Sequence, residues 1–412
     1  MRKGKSRPEI RKNECNGDWD NCKLSQLADR VTRKNTGLES LLPLTISSQY
    51  GLVNQIKYFN KRIASKNISN YYLIKNGEFA YNKSSSDGYP FGTVKRLDLY
   101  EIGVLSTLYI IFSLKEGNVD SDFLAAYYDT NYWHKQISER ATEGARSHGL
   151  LNISAGDFFD TELMVPKDIK EQEFIGTYLK KLDELIALHQ REIEKLGCMR
   201  KAMVDKMFPK EGEDVPPVRF KGYKGKWRFC EFSEIFIERH KIDTISEEYP
   251  QLSFTIEEGV IRPENRKTNK RDFLILDKAN KKYLQTEYDD IIYNPANVVF
   301  GAIHRNALGK GCVSPIYKIF YTDQDAAFME CIVRHPRFIK EISRSMEGTV
   351  KKLRTLKPKA FLEMSAYIAP TIEEQQQIGE YFQQIDRLIE IEKEELEKIK
   401  HIKSACLEKM FV

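Results

Sequence analysis

Two stretches of the chain carry residues at alternating spacings of four and three, the period of a heptad seam. The first stretch runs from residue 182 to 207 and the second from residue 385 to 410. The seam positions are Leu182, Ile186, His189, Ile193, Leu196, Arg200, Met203 and Met207 in the first stretch, and Ile385, Ile389, Glu392, Leu396, Ile399, Lys403, Cys406 and Met410 in the second. They are mostly apolar, with polar interruptions. This pattern predicts two long amphipathic helices that pack as a coiled coil.

Apolar runs of a different kind lie between the predicted helices. VLSTLYIIFSL (residues 104–114) and DIIYNPANVVFGAI (residues 290–303) are rich in β-branched and aromatic residues and are broken by Gly, Asn and Pro. Such runs predict short strands joined by loops. A few helices intervene, for example SDFLAAYYDTNYWHKQI (residues 121–137). Each globular segment is therefore predicted to be mixed α and β.

The chain contains an internal repeat. With an offset of 203, residues 171–208 align with residues 374–411 without a gap, and 15 of the 38 pairs are identical. A second set of matches, at an offset of 208, precedes the first in each half and includes Pro8 with Pro216, Trp19 with Trp227, Cys22 with Cys230 and Gly51 with Gly259. The chain is therefore a tandem duplication in which each unit is a globular segment followed by a long helix.

The long helices need a partner, because 38 residues extend about 57 Å. The simplest partner of each helix is its own copy. Apolar residues beside the seam widen the stripe beyond what one helix covers, and they predict a surface for another protein. These residues are Leu185, Leu188, Leu388 and Ile391. If the two units are related by a pseudo-twofold axis, the end of the second helix at Met410 is expected beside the start of the first globular segment.

Length and composition bound the class of protein. A chain of 412 residues suits two domains, and 41% hydrophobic with 30% charged residues is typical of globular proteins. The start lacks the apolar run of a signal peptide, and no stretch approaches the roughly 20 apolar residues of a membrane span. We therefore expect a cytoplasmic protein. The seven cysteines include no CxxC pair, which predicts reduced thiols.

Catalytic signatures are weak. The stretch Asn294-Pro295-Ala296-Asn297 lacks the second proline and the aromatic residue of adenine methyltransferases. The seven histidines show no metal-ligand spacing. We therefore predict no catalytic, cofactor-binding or metal-binding residues. The net charge of +5 permits nucleic-acid binding without implying it, and residues 262–282 hold a local basic excess that suits a loop facing phosphates if DNA is the ligand.

The order of the motifs resembles the specificity subunit of type I restriction-modification enzymes. The motifs are Pro-x-Val-Arg (216–219) with Gly-x-Trp (225–227), Gly-x-x-Ser-x-x-Tyr (103–109 and 311–317), Glu-Gln with Ile-Gly and Leu-Asp-x-Leu-Ile (171–186), and Lys-Met-Phe-Pro (206–209). The pattern covers nearly the whole chain and occurs twice, which makes the resemblance specific.

The resemblance implies an α+β fold class: two mixed α/β target-recognition domains related by internal pseudo-twofold symmetry and joined by two long helices in an antiparallel coiled coil. The implied segments are a first target-recognition domain (1–165), a first conserved-region helix (166–208), a linker (209–226), a second target-recognition domain (227–368) and a second conserved-region helix (369–412). Each domain would read one half of a bipartite site in double-stranded DNA, and the helices would set the spacing.

The resemblance also implies partners. The helices would dock two methyltransferase subunits, and motor-nuclease subunits would join that core. The chain would be a non-catalytic recognition subunit without a cofactor of its own, while S-adenosylmethionine, ATP and Mg²⁺ would act on the partner subunits.

Chemistry alone selects the candidate contact residues. Loop residues able to bind phosphates or base edges are Lys83, Ser84, Arg96 and Arg146 in the first domain, and Arg266, Lys270, Arg271, His304, Arg305 and Lys310 in the second. For each of them an ordinary surface role is an equally good interpretation. The candidates for the helix seam and partner docking are Leu182, Ile186, Ile193, Leu196, Met203, Ile385, Ile389, Leu396, Ile399 and Cys406.

Two other functions stay open on the residues alone. The first is a standalone nuclease or methyltransferase with drifted motifs, which turnover by the pure chain with a methyl donor or Mg²⁺ would reveal. The second is a duplicated protein-binding scaffold without a DNA role. Salt-sensitive binding of duplex DNA together with methyltransferase partners would exclude the scaffold.

Overall fold

The chain folds into two compact units. The computed structural model describes residues 8–11, 17–48, 50–86, 88–141, 151–266, 281–346 and 354–412. Unit 1 comprises Met1–Gln190 and Glu394–Val412, and unit 2 comprises Arg191–Lys393. Each unit thus contains part of both long helices. This division into two units does not test the five segments predicted from the sequence, which stay a prediction. No helix in these ranges is long and apolar enough to span a membrane.

Unit 1 contains a mixed α/β domain, here called module 1. Its strands are β1 (Trp19–Lys23), β2 (Ala28–Val31), β3 (Leu44–Ser47), β4 (Gly51–Asn54), β5 (Tyr72–Lys75), β6 (Phe79–Asn82), β7 (Thr93–Arg96), β8 (Ile102–Leu105), β9 (Ile110–Leu114) and β10 (Glu162–Pro166). Its helices are α1 (Leu24–Leu27), α2 (Gln55–Phe59), α3 (Ser121–Tyr127), α4 (His134–Arg140) and α5 (Ala155–Phe159).

The core of module 1 lies on a four-stranded antiparallel sheet of order β2-β9-β6-β7. Phe79 and Phe112 stack with ring centroids 5.2 Å apart, and Tyr81 stacks on Phe158 at 4.6 Å. These rings are buried together with Phe123 of α3. Large aromatic side chains contribute most of the buried apolar surface that stabilises such a domain.

Unit 2 contains the second mixed domain, module 2. Its strands are β11 (Arg228–Glu231), β12 (Phe236–Glu238), β13 (Ile242–Asp243), β14 (Ser253–Thr255), β15 (Gly259–Ile261), β16 (Tyr283–Thr286), β17 (Ile291–Tyr293), β18 (Ile303–Arg305), β19 (Gly311–Val313), β20 (Lys318–Thr322) and β21 (Ser365–Ile368). Its helices are α7 (Ala326–Val333), α8 (Pro336–Ser345) and α9 (Pro358–Leu362), with 3-10 turns at Phe232–Glu234, Pro263–Asn265 and Val298–Phe300.

The two modules share one topology. The sheet of order β12-β20-β17-β18 in module 2 repeats the order β2-β9-β6-β7 of module 1. The hairpin β14–β15 repeats β3–β4, and the pair β11–β21 repeats β1–β10, which joins the first and last strands of the module. The duplication inferred from the sequence is therefore a duplication of structure, and the α+β fold class is confirmed.

Two long helices complete the chain: α6 (Ile169–Met207) and α10 (Ile372–Lys409). The Asp168 carboxylate accepts a hydrogen bond from the backbone N–H of Lys170 at 3.0 Å, and the Thr371 hydroxyl accepts one from Glu374 at 3.3 Å. These side chains satisfy amide groups that the first helical turn leaves free. A helix of 39 residues such as α6 extends about 58 Å.

A buried carboxylate near the start of each long helix holds a loop of the same unit. In unit 1 the Arg11 guanidinium donates to Glu171 at 2.6 and 2.7 Å, and in unit 2 Arg219 donates to Glu374 at 2.6 and 2.7 Å. The Glu171 side chain is 2% exposed and that of Glu374 is 0% exposed. A bidentate pair of this kind is strong and directional, so it fixes the loop on the helix.

The residues that are identical in both helix starts form a seat for the module. The Gln172 side chain accepts a hydrogen bond from the backbone N–H of Asp120 and donates one to the carbonyl of Pro166, both at 2.8 Å. A Cβ on Gly176 would lie 2.4 Å from the backbone nitrogen of Phe123, so no side chain fits there. Unit 2 repeats these contacts with Gln375, Asp325, Ala369 and Gly379.

The helices pack antiparallel within each unit. In unit 1 the Lys403 ammonium lies 2.6 Å from Asp183. Farther along α10, burial raises the pKa of the Cys406 thiol overall, although Tyr178, which lies earlier in α6, is near enough to the thiol to lower that pKa. In unit 2 the Arg200 guanidinium binds Asp386 at 2.5 and 2.9 Å, and the Phe208 and Phe382 rings lie 6.2 Å apart. Residue numbers that increase along one helix thus meet residue numbers that decrease along the other, as antiparallel packing requires.

An aromatic cluster closes each module against the end of a long helix. In unit 1 the Phe411 ring lies 6.2 Å from Trp19 and 5.4 Å from Phe123. In unit 2 the Phe208 ring lies 5.8 Å from Trp227 and 5.7 Å from Phe328. The expectation that the end of the second helix lies beside the start of the first module is therefore confirmed.

Every seam position named from the sequence is buried or half-buried. Leu182, Ile385, Leu396, Cys406, Met207 and Met410 are buried. Ile186, Ile193, Leu196, Met203, Ile389 and Ile399 are half-buried, as are the polar members His189, Arg200, Glu392 and Lys403. By contrast, Leu185, Leu188, Leu388 and Ile391 beside the seam are exposed.

The seam can be tested with two aspartates three residues apart. We expect Leu182→Asp to lower the free energy of unfolding by about 3–5 kcal/mol, because it buries an unpaired carboxylate. The matched control Leu185→Asp places the same charge in water and should change stability by no more than about 0.5 kcal/mol. Urea unfolding of both variants checks this, and equal losses would contradict the packing.

Candidate nucleic-acid interface

A short, ordered helix follows the β3–β4 hairpin of module 1. The Asn54 side chain accepts hydrogen bonds from the backbone N–H groups of Ile56 at 2.9 Å and Lys57 at 3.2 Å, which begins α2. Asn60 adopts a left-handed conformation with a φ of 50°, which ends α2. Asn is among the residues that tolerate this conformation best. The sequence thus confines α2 to five residues at one end of the hairpin.

The segment around α2 is basic and exposed. Residues 55–68 contain four basic and no acidic residues. The basic residues are Lys57, Lys61, Arg62 and Lys66, all of them exposed and none paired with a carboxylate in the described part of the chain. Tyr58 and Phe59 lie among them, 50% and 41% exposed. Unpaired cations beside exposed aromatic rings are the chemistry that binds phosphates and stacks on bases.

An open cavity of about 510 Å³ adjoins this basic segment. Leu38, Leu41, Arg62, Lys66, Asn67 and Ile68 line it. Leu38 adopts a left-handed φ of 51°, and Leu41 is 71% exposed. An apolar floor with two cations on its rim can accept a group that is apolar on one side and anionic on the other, such as a sugar-phosphate.

The repeat relates this surface to the basic segment found in the second half of the sequence. At the offset of 208, residues 54–74 correspond to residues 262–282, and both segments follow equivalent hairpins. In unit 2 the turn Pro263–Asn265 follows β15, and residues 267–280 lie outside the described residues. The candidate set does not include the cations in and after α2, although this offset identifies them.

The candidates in module 1 lie in different environments. Ser84 is exposed and follows β6, and the Lys83 ammonium donates to the carbonyl of Ile153 at 3.4 Å. Arg96 of β7 is instead held inside the module by Asp98 and Asp122, both at 2.6 Å. Burial lowers the pKa of Arg96, but these carboxylates outweigh it and raise the pKa above its ordinary value. Arg146 lies outside the described residues.

The candidates in module 2 are also partly committed to internal contacts. His304 is buried, and its Nε2 lies 2.8 Å from the carbonyl of Ile256 in the β14–β15 turn. Arg305 pairs with Asp289 at 2.6 Å and lies 3.7 Å from Glu330. Lys310 is exposed and pairs with Glu248. Arg266 is half-buried, and its Nε has no hydrogen-bond partner in the described ranges. Lys270 and Arg271 lie outside those ranges.

Equivalent edge strands carry two basic residues in each module, and three of the four, Arg96, His304 and Arg305, belong to the candidate set. Strand β7 carries Lys95 and Arg96, and β18 carries His304 and Arg305 at an offset of 209. Carboxylates in or beside the helix after each sheet bind them, Asp122 and Asp129 in module 1 and Glu330 in module 2. These cations therefore anchor strands to helices, which leaves the basic segment after the hairpin as the better candidate surface for an anion.

The helix pair of each unit exposes an apolar patch. Leu185, Leu188 and Ile402 form it in unit 1, and Leu388, Ile391 and Met199 form it in unit 2. At the offset of 203, each member has its counterpart in the other patch. In an antiparallel pair, helical periodicity places these positions on one side of the seam. A patch that is repeated with the same chemistry suits two copies of the same partner.

The described residues offer little else for chemistry. Within the described ranges no three His, Cys, Asp or Glu side chains lie close enough together to hold a metal ion. Burial raises the pKa of the Cys331 thiol to about 12. Since only a thiolate is an effective nucleophile, this cysteine is inert at neutral pH.

Comparison with known proteins identifies a sequence relative over most of the chain. No protein-family model matches the sequence. The chain is 24% identical over 376 residues to the type I restriction enzyme MjaVIII specificity subunit of Methanocaldococcus jannaschii, which covers 85% of this chain and 83% of that protein.

A solved structure has the same fold. The S subunit of a type I restriction-modification system from M. genitalium matches with a TM-score of 0.63 at 17% identity, over 98% of this chain and 99% of that one. At this identity the likeness concerns the fold. The sequence match and the shared fold point to the same group of proteins. Along most of its length the chain is similar to specificity subunits of type I restriction-modification enzymes.

Proposed function

We propose that this chain is the DNA-specificity subunit of a type I restriction-modification complex, in which each module reads one half of a bipartite site. The observation that carries the proposal is the duplication of a complete unit, with the same hairpin, the same helix seat and the same aromatic closure in both copies. A duplicated reader suits a target with two halves at a defined separation.

The DNA-facing surface of module 1 is proposed to be the basic segment after the β3–β4 hairpin. Its cations have no carboxylate partner in the described part of the chain, so they can neutralise phosphates without first breaking an ion pair. Phosphate contacts supply affinity and register, whereas base contacts supply specificity. The exposed Tyr58 and the neighbouring cavity are the parts of this surface able to contact sugars or bases.

The chain is proposed to recognise DNA and leave catalysis to its partners. Two methyltransferase subunits would dock on the two apolar patches of the helix pairs, and motor-nuclease subunits would join through that core. S-adenosylmethionine, ATP and Mg²⁺ would act on those subunits, in the cytoplasm. The proposal is supported by the equivalence of the patches, because two equivalent apolar surfaces suit two copies of one partner.

The salt dependence of DNA binding tests the basic surface. Replacing Lys57 and Lys61 with alanine should weaken binding to all sequences similarly and reduce the slope of log K against log salt by about 1 per lost phosphate contact. Lys135→Ala on α4, whose side chain is 84% exposed, is the matched control and should keep the slope. Identical slopes for the double variant and the wild-type complex would remove these lysines from the interface.

Partner stoichiometry tests the apolar patches. Leu185→Asp should release one methyltransferase copy, Leu388→Asp the other, and the double variant both, since a carboxylate cannot be buried cheaply in an apolar interface. The mass of the co-purified complex, measured by light scattering, reports the number of copies. Lys201→Asp, exposed on α6 away from the stripe, is the control. Full occupancy in the double variant would exclude these patches as docking sites.

The bipartite reading itself is tested by sequencing the methylated sites of cells with and without this gene. We expect one split motif that depends on the gene. Replacing residues 228–360 with the equivalent segment of a relative should change one half of the motif and leave the other half and the spacer intact. A hybrid that altered both halves would contradict independent reading, and the absence of any gene-dependent motif would contradict the proposed function.

A further inference from the structure

Four charged side chains form a continuous ladder in unit 1 from module 1 to the helix pair. The Lys95 ammonium on β7 lies 2.5 Å from Asp129, which follows α3. The other oxygen of Asp129 lies 3.0 Å from the Lys403 ammonium on α10. Lys403 in turn lies 2.6 Å from Asp183 on α6. The charges alternate along the ladder, so every neighbouring pair attracts.

The middle of the ladder is shielded from water. The Lys403 side chain is 15% exposed and that of Asp129 is 21% exposed. Burial raises the pKa of Asp129, but Lys95 and Lys403 outweigh burial and hold the pKa below its ordinary value. Burial likewise lowers the pKa of Lys403, and Asp129 and Asp183 more than reverse this. Both groups are therefore charged at neutral pH, where partly buried pairs are strong.

Unit 2 has the helix part of this ladder without the link to its module. Arg200 and Asp386 stand at the offset of 203 from Asp183 and Lys403, with the roles of the two helices exchanged. In the described ranges Arg200 forms an ion pair with Asp386 alone. Glu330 on α7 of module 2 forms its ion pairs with His304, Arg305 and Arg334, and it acts on Arg200 only as a more distant charge. Within the described residues, a continuous chain of ion pairs from module to helix pair is therefore found in unit 1 and not in unit 2.

We propose that Asp129 is a positioning residue for DNA reading, which holds module 1 at one angle on its helix pair through Lys403. The proposal rests on the proposed function, and it names a side chain that sets the orientation of module 1 during DNA reading. Asp129 lies outside the basic segment. Among the described residues its ion pairs are with Lys95 of β7 and Lys403 of α10. The angle of module 1 decides where its basic segment meets the DNA, so a loosened module should accept half-sites at a shifted distance.

The test uses the full chain in complex with its methyltransferase subunits. Methylation rates are measured on duplexes that carry the two half-sites identified in cells, with the native spacer or with one base pair added or removed. We expect the wild-type preference for the native spacer to fall about tenfold in Asp129→Asn, the effect of losing one charge-assisted contact. Lys403→Gln removes the other side of the same link and should give the same fall.

The preference is a ratio of rates, so a variant that merely unfolds in part leaves it unchanged. Asp386→Asn breaks the equivalent helix contact in unit 2, where the described residues show no ion pair that continues from Arg200 to the module, and should keep the wild-type ratio. Asp129→Glu retains the charge and should restore at least part of the preference. Wild-type ratios in both Asp129→Asn and Lys403→Gln would overturn the inference while leaving the proposed function standing, whereas a wild-type complex that reads no split site would overturn both.

Discussion

The packing of a helix-end phenylalanine into the opposite repeat's module is the interaction on which the rest of the structure depends. Phe411 belongs to the second repeat and fills the aromatic cluster of Trp19 and Phe123 in the first. Phe208 belongs to the first repeat and fills the cluster of Trp227 and Phe328 in the second. Each compact unit thus buries side chains from both halves of the sequence, and neither half completes its own core.

The charges on the long helices agree with this exchange. Asp183 and Asp386 are one equivalent pair of the repeat, and Arg200 and Lys403 are another. Antiparallel packing brings each aspartate to a cation, at 2.6 Å in unit 1 and 2.5 Å in unit 2. Parallel packing in register would set aspartate against aspartate and cation against cation. The four charges therefore favour one direction of packing, which apolar seam residues alone specify less strictly.

Much of this architecture could be predicted from the sequence, because periodic features survive without knowledge of distant contacts. The seam from Leu182 to Met207 has a period that only a packed helix explains, and the offset of 203 identifies its copy. The fate of single cations could not be predicted in this way. Arg96 and Arg305 are candidates because of their charge, but Asp122 binds the Arg96 guanidinium and Asp289 binds that of Arg305, 26 and 16 residues away in sequence.

The cations in and just after α2 show the opposite case. Lys57 lies in α2 and Lys61 directly follows the residue that ends it, Asn60. Neither lysine has a carboxylate partner in the described ranges, a property that composition cannot reveal. Their correspondence with residues 262–282 was present in the repeat, but an offset identifies a surface only once the hairpins before both segments are known to match. Local charge thus indicates an anion-binding surface, and the strand topology is needed to locate that surface after the hairpin.

The glycine seat has a consequence for how such proteins can change. Gly176 and Gly379 have no side chain, so the backbone and the N-terminal cap of a module helix can pack directly against them. Gln172 and Gln375 form hydrogen bonds with backbone groups of the module. Because these contacts are mainly to backbone atoms, they depend little on which side chains the module carries in its hairpins and loops. New recognition surfaces can therefore arise by exchange of whole modules between related genes, and each incoming module finds its attachment already made.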